Sequence, residues 1–246
     1  MPRRTGTVGA VTMKKEKLTE HILLEHTSAF VHLEFGIPYS VASSAVLNGG
    51  LIQADHILNL KVDKNYETKN KTLALPDITL AEYCAARNWQ GATVGMMTAA
   101  SMESLRMARA TEQGADVIVL VTSGLSNPRR AGDPAEYRQL GESMPESGTI
   151  NTICLTTAKL TPAALVEAVA IATEAKVAAL QDLEIVSAVS NTPATGTGTD
   201  AIAVASGDRP PQIKYSGKHV LFGEILARLV IEAVTSSVNR AVNAGF

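Results

Sequence analysis

The chain has 246 residues, a formal net charge of −2 and an apolar fraction of 46%. That length is enough for a sizeable core, as one large domain or two small ones. The near-neutral charge leaves no footprint for nucleic acid or an acidic lipid surface. No signal-peptide core and no run of about 18 apolar residues occurs, so the expectation is a cytoplasmic protein with no membrane partner.

Residues 1–20 are polar, with Pro2-Arg3-Arg4 and Lys14-Lys15, and read as a flexible N-terminal tail. Residues 21–246 read as one domain. Alternation from His21 to Phe35 predicts paired strands, followed by strands over Tyr39–Leu47 and Ala54–Val62. Between the last two, Asn48-Gly49-Gly50 is a turn that needs positive φ. Residues 63–76 form a polar loop with Lys64, Lys69 and Lys71. A helix follows, capped by Asp77 or Thr79, with Leu80, Tyr83, Cys84 and Arg87 at helical spacing.

Strands are expected over Ala92–Ala99, Leu105–Thr111 and Val117–Thr122, the last two joined by a Gln113–Asp116 hairpin turn. Residues 127–147 lack periodicity and have the length of a lid loop. Gly148–Leu155 opens a strand with polar groups. Thr161-Pro162 starts a helix to about Leu180, with Thr161 as N-cap and Pro162 in the first turn. A strand over Ala201–Ser206, a Pro-rich loop over 207–216 and a helix over Lys218–Val242 close the chain. Many strands with a few grouped helices give an α+β fold: layered mixed or antiparallel sheets, the long helices packed outside.

Cys84 and Cys154 sit in apolar surroundings and read as core thiols. The five histidines show no zinc-type spacing, so no metal site is expected. Ala227, Ala233 and Ala241 give the last helix a small-residue face on which a second subunit can pack, so a homo-oligomer stays open.

One loop stands out. Ala194-Thr195-Gly196-Thr197-Gly198-Thr199-Asp200 packs hydroxyls, glycines and a carboxylate just before a core strand. It matches neither phosphate-binding fingerprint: Gln212 stands where Gly-x-x-x-x-Gly-Lys needs glycine, and a strand rather than a helix follows the loop. Its N–H groups, from Gly196 to Thr199, can instead serve a developing oxyanion. On the 161–180 helix, Glu167, Glu174 and Gln181 form a solvent stripe, and Lys176 lies about 160° away at 100° per residue. A lysine among Ala172, Ala179 and Leu180 either snorkels, its stem crossing the core edge, or points into a polar cleft to pair with a carboxylate or a substrate carbonyl. Asp200 is the candidate partner. Gly217-Lys218-His219 adds a cation and an imidazole, the side-chain type most used for proton transfer.

Four segments in this order resemble the adenosylcobinamide amidohydrolase family of corrinoid salvage: Gly148-Thr149-Ile150-Asn151-Thr152, Thr173-Glu174-Ala175-Lys176, Ala194–Asp200 and Gly217-Lys218-His219. Asn48-Gly49-Gly50 resembles it too. The resemblance runs from about residue 35 to 240 and leaves out the first 20 residues. It implies hydrolysis of the amide joining the corrin propionyl carbonyl to the aminopropanol arm, giving adenosylcobyric acid for cobalamin synthesis. The corrinoid is then substrate, and no cofactor is needed. Role by role, the chemistry suggests Asp200, or His219 oriented by it, as base on water, and Lys176 with the loop amides around the oxyanion. His219 or Lys218 protonates the leaving amine. Asn48, Asn151, Thr152, Glu174, Gly196, Thr197, Gly198, Thr199 and Lys218 become substrate-binding candidates. A corrinoid-binding protein without catalysis, or a nucleotide-dependent transferase, is the alternative. Thr149, exposed as a terminal nucleophile by self-cleavage, is a more remote one.

Overall fold

The computed structural model describes residues 14–62, 75–137, 140 and 148–243. The described residues open with four strands: β1 (Lys14–Thr19), β2 (Ile22–His26), β3 (Phe30–Ser43) and β4 (Gly50–Lys61). Helix α1 (Pro76–Ala86) leads to β5 (Thr93–Thr98), β6 (Arg106–Glu112), β7 (Ala115–Ser123) and the two-residue β8 (Pro128–Arg129). Then come β9 (Ile150–Leu160), α2 (Pro162–Asp182), β10 (Gly196–Thr197), β11 (Ala201–Ile213) and α3 (Leu221–Asn243).

Nine strands make one mixed sheet, in the order β1-β2-β3-β11-β9-β7-β6, with β4 on the other edge of β3 and β5 beyond it. β3 is long enough to change neighbours: Val31–Phe35 pair with β2 and Ser40–Ser43 with β11. The sheet thereby curls, and its β3–β5 part faces β7, β9 and β11. Leu33, Val41, Ile57 and Met96 meet Ile118, Leu120, Ile153 and Leu155 in the cleft between the two parts. The alternate residues Val117, Val119, Val121, Cys154, Ile202 and Val204 point the other way, onto the small and branched side chains of α2 and α3. Strands buried on both faces read as unbroken apolar runs, which is the pattern of β7. On the far side, Leu80 and Cys84 of α1 pack on Phe30, Leu58 and Leu60. The result is four layers, helix-sheet-sheet-helix, and the α+β class expected from sequence.

Several boundaries differ from the sequence reading. Lys14–Thr19 is not tail but the edge strand β1, paired with β2. It places charged side chains on the open edge and buries Leu18, a pattern that protects an edge strand and disguises it as a polar tail. Residues 1–13 lie outside the described residues. The expected 207–216 loop belongs largely to β11, which continues along β9 through two register shifts. Beyond Ser206 this strand has lost β3 as a neighbour, so prolines without an N–H are tolerated there. α3 begins at Leu221, three residues later than expected, and α1 at Pro76 without a side-chain cap. Lys64, Lys69 and Lys71 lie outside the described residues, as do residues 138–139 and 141–147 of the expected 127–147 lid. Thr161 caps α2 as expected, its hydroxyl accepting from Ala164 N at 3.2 Å. Cys84 and Cys154 are free and buried, and burial pushes the Cys154 thiol up to about 12.

Ala233 and Ala241 are buried within this chain, and Ala227 packs against the same core. That small-residue face of α3 is spent on α2 and the sheet rather than left for a second subunit. No described helix is long and apolar enough to cross a membrane.

Candidate active site

β9 and β11 run parallel, and α2 returns antiparallel to them. The starts of both strands therefore lie beside the C-terminal half of α2. Lys176 projects from that half, 5% exposed, and its ammonium pairs with the Asp200 carboxylate. A buried lysine is stable only with such a partner. Asp200 stands at the start of β11, and its acceptor sites are filled. Oδ1 takes Ile150 N at 2.9 Å and the Thr197 hydroxyl at 2.5 Å; Oδ2 takes Thr197 N at 3.1 Å besides Lys176. A carboxylate bonded this fully is an anchor rather than a free base. It ties α2, the 194–200 loop and the start of β9 together.

The loop is pinned, not pliant. β10 pairs with β8, and the Thr195 hydroxyl accepts from Ala131 N at 2.8 Å. Gly196 is required by space: a Cβ there would sit 2.2 Å from Asp200 Oδ2 and 2.8 Å from Lys176 Nζ. Gly198 and Thr199 are exposed.

Next to the ion pair lies a cluster of hydroxyls around one peptide. Thr149 is 3% exposed. Its hydroxyl donates to Thr199 O at 2.7 Å and lies 2.7 Å from Thr199 Oγ1. The hydroxyl oxygens of Thr197 and Thr199 each lie 3.1 Å from the carbonyl oxygen of Gly148. Gly148 has φ +101°, and a Cβ would meet Ser126 Oγ at 2.6 Å, so only glycine fits. The sequence offers Thr149 only as a remote nucleophile, because a lone threonine after glycine carries no local signature. Its position at the head of an interior strand is what marks it.

The structure does not bring all the expected residues together. His219 is exposed beside Gly217, near Glu167 and Ser216, where Ser216 N donates to Glu167 Oε2 at 2.5 Å. Glu167 and Lys176 are separated by about 13 Å of helix axis at 1.5 Å per residue. His219 is not among the partners of Asp200, because α3 starts beside the first turns of α2 rather than the last. Lys218 pairs with Glu174 on the surface, both more than half exposed. Asn151 is buried and committed: Nδ2 donates to Asn59 Oδ1 at 2.8 Å and Met97 O at 2.9 Å, and Oδ1 accepts from Ala201 N at 3.3 Å. Its network continues from Asn59 to Thr122 Oγ1 at 2.8 Å. Asn151 therefore holds the two sheet parts together below the site. Thr152 Oγ1 is buried on the helix side without a hydrogen-bond partner. Asn48 is exposed at φ +52° with Nδ2 on Thr93 O at 2.9 Å, and its turn lies near the start of β11, where Ser44 Oγ accepts from Ile202 N at 3.1 Å. Among the described residues, no group of three or more His, Cys, Asp or Glu could hold a metal ion.

A family model for adenosylcobinamide amidohydrolase matches residues 4–245. The chain belongs to the adenosylcobinamide amidohydrolase family. The match includes most of the N-terminal segment that the sequence reading had left outside the family pattern. An adenosylcobinamide amidohydrolase of Halobacterium salinarum is 32% identical over 212 residues, 84% of each chain. Another, of Methanosarcina mazei, is 28% identical over 206 residues, 80% of this chain and 89% of the relative. An uncharacterized protein of Methanocaldococcus jannaschii is 34% identical over 157 residues, 58% of this chain and 61% of its own length. Among solved structures, a Burkholderia sp. beta-aminopeptidase aligns over 94% of this chain and 82% of its own, at TM-score 0.44 and 13% identity. The l-aminopeptidase d-ala-esterase/amidase from Ochrobactrum anthropi aligns over 95% and 83%, at TM-score 0.41 and 11% identity. For a member of an amidohydrolase family, a buried hydroxyl beside a carbonyl-directed hydroxyl pair is the arrangement to explain.

Proposed function

We propose that this chain cleaves the amide between the corrin propionyl carbonyl and the aminopropanol arm of adenosylcobinamide. The products are adenosylcobyric acid, which re-enters cobalamin synthesis in the cytoplasm, and aminopropanol or its phosphorylated form. The family match over residues 4–245 carries this reading. The site's chemistry supports it. Amide hydrolysis needs a nucleophile, donors for the tetrahedral oxyanion and a proton for the amine. The buried Thr149 hydroxyl lies 2.7 Å from that of Thr199, which is exposed together with Gly198. Lys176 supplies positive charge from below, fixed by Asp200. The exposed Asn48-Gly49-Gly50 turn offers amide and backbone partners for the peripheral amides of a corrin ring.

The test is to incubate the protein with adenosylcobinamide in oxygen-18 water and weigh the products. Label in the new carboxylate together with free aminopropanol is the expected result. Tight corrinoid binding with no aminopropanol released would replace this reading by a binding protein. Stabilisation by ATP with magnesium and none by a corrinoid would point to a transferase.

A further inference from the structure

We propose that the Gly148–Thr149 peptide bond is broken by the hydroxyl of Thr149 itself, leaving Thr149 as the N-terminal nucleophile of the site. Four observations converge on this one bond. First, Thr149 is a nucleophile-bearing residue buried in the intact chain at 3% exposure, out of reach of a large planar substrate. Second, the carbonyl of the preceding residue is the point on which two hydroxyls converge: Thr197 Oγ1 and Thr199 Oγ1 both lie 3.1 Å from Gly148 O. Each hydroxyl has a single proton. Thr197 gives its proton to Asp200 Oδ1, and Thr199 Oγ1 lies between Thr149 Oγ1 at 2.7 Å and the carbonyl at 3.1 Å, so Thr199 is the hydroxyl placed to turn its proton toward the carbonyl as charge develops there. Third, both sides of the bond are held. Gly148 is wedged against Ser126 and Asn127, with φ +101°. Thr149 O accepts from Gly124 N at 3.0 Å, and Ile150 N is bound to Asp200. Fourth, the Asp200 carboxylate that holds Ile150 N and Thr197 is itself locked in place by the buried Lys176 ammonium, so the groups on the far side of the bond are rigid.

A carbonyl deep in a strand-loop junction usually takes one backbone donor. At Gly148 two side-chain hydroxyl oxygens stand in that place, just ahead of the β9 pairing that begins at Ile150 and Asn151.

The step balances as follows. Thr149 Oγ1 attacks the Gly148 carbonyl carbon. The C–N bond breaks, the hydroxyl proton ends on the departing Thr149 nitrogen, and an ester links Gly148 to Thr149 Oγ1. Water then hydrolyses that ester, giving a Gly148 carboxylate, the free hydroxyl and a free α-amine on Thr149. This amine, with an ordinary pKa near neutrality, is the base that the fully bonded Asp200 does not provide. Residues 1–148 and 149–246 stay associated, since β9 lies between β7 and β11 in the sheet. The cleavage step stands by itself. The role of Thr149 toward a corrinoid amide rests on the function proposed above.

Intact mass and N-terminal sequencing of the purified full chain, followed through a long incubation at neutral pH, test the proposal. Wild type should convert to two species, the second beginning Thr149-Ile150. Thr149→Ser should also convert. Thr149→Val, which keeps the shape and removes the hydroxyl, should remain one chain, and Thr199→Val should convert 10-fold or more slowly. A wild-type chain that stays at full mass overturns the proposal, whatever the variants do. So does cleavage at this bond that persists in Thr149→Val. Corrinoid hydrolysis by a chain still at full mass sinks this inference and leaves the proposed function intact. Cleavage without aminopropanol release does the reverse.

Discussion

Lys176 and Asp200 form an ion pair with side chains only 7% and 11% exposed, joining the last turns of α2 to the first residue before β11. Breaking one partner of such a pair strands the other charge in a low-dielectric site, at a cost of about 3–5 kcal/mol. Lys176→Met and Asp200→Asn should each lose stability in that range. Asp200→Asn should lose more, because the Ile150 N and Thr197 contacts weaken as well. The double variant should fall well short of the sum. Urea denaturation of the three variants gives the coupling energy; strict additivity would mean the pair is not a unit.

Gly196 tests the same pair from the backbone. An added Cβ would lie 2.2 Å from Asp200 Oδ2 and 2.8 Å from Lys176 Nζ, so one of the two must move. Gly196→Ala should cost about 1–3 kcal/mol, the usual range for overpacking. Turnover of the corrinoid should fall far more than Gly114→Ala changes it, since Gly114 sits in an open hairpin turn away from the site. Equal effects of the two on kcat would separate the ion pair from catalysis.

The second sheet part holds a titratable group of another kind. His32 stacks on Trp89 with ring centroids 3.7 Å apart. Its Nε2 lies 3.2 Å from His56 Nδ1, and His56 Nε2 lies 2.9 Å from Gln90 O. A carbonyl only accepts, so His56 carries its proton on Nε2 and takes the His32 proton on Nδ1. Burial, reinforced by His56, Arg87 and Lys15, pushes the His32 pKa down to about 3. The unfolded chain takes up this proton near pH 6.5 and the folded chain does not. Stability is therefore present in full above about pH 6.5 and is lost as pH falls toward 3. Between pH 7 and pH 5 the loss from this group is about 2 kcal/mol at 1.36 kcal/mol per unit. Urea unfolding of wild type and His32→Phe at both pH values should show the difference shrinking in the variant. Identical pH slopes would refute the linkage.

How much of this could be read from the chain varies with the physics. Thr161-Pro162 announced α2 because capping is local. Lys176 was legible because a lysine among alanines on one helix face breaks the pattern, and its need for a carboxylate pointed to Asp200. β1 was hidden by lysines that serve edge protection, and the 207–213 extension by prolines that an edge tolerates. Asn151 looked like a ligand group, yet its amide is spent on Asn59 and Met97 from the opposite sheet part, a contact that local pattern does not encode. The Gly148 carbonyl escaped for the same reason: the hydroxyl groups around it come from about 50 residues later in the chain.

His219 gives the sharpest contrast between adjacency in motif and adjacency in space. Gly217-Lys218-His219 follows the loop motif in sequence, but α3 starts at the far end of α2, beside Glu167. The Lys218–Glu174 pair is more than half exposed on both sides, and pairs of that kind contribute about 1 kcal/mol or less. His219→Ala and Lys218→Ala should therefore keep kcat within about 3-fold of wild type. Lys176→Met should lower it by about 100-fold or more if the lysine supports an oxyanion, the usual loss for one such donor. Steady-state assays on the three variants, each checked for folded state by circular dichroism, decide between the two ends of α2. A collapse of kcat in His219→Ala with Lys176→Met near normal would move the chemistry to the α3 end and away from Asp200.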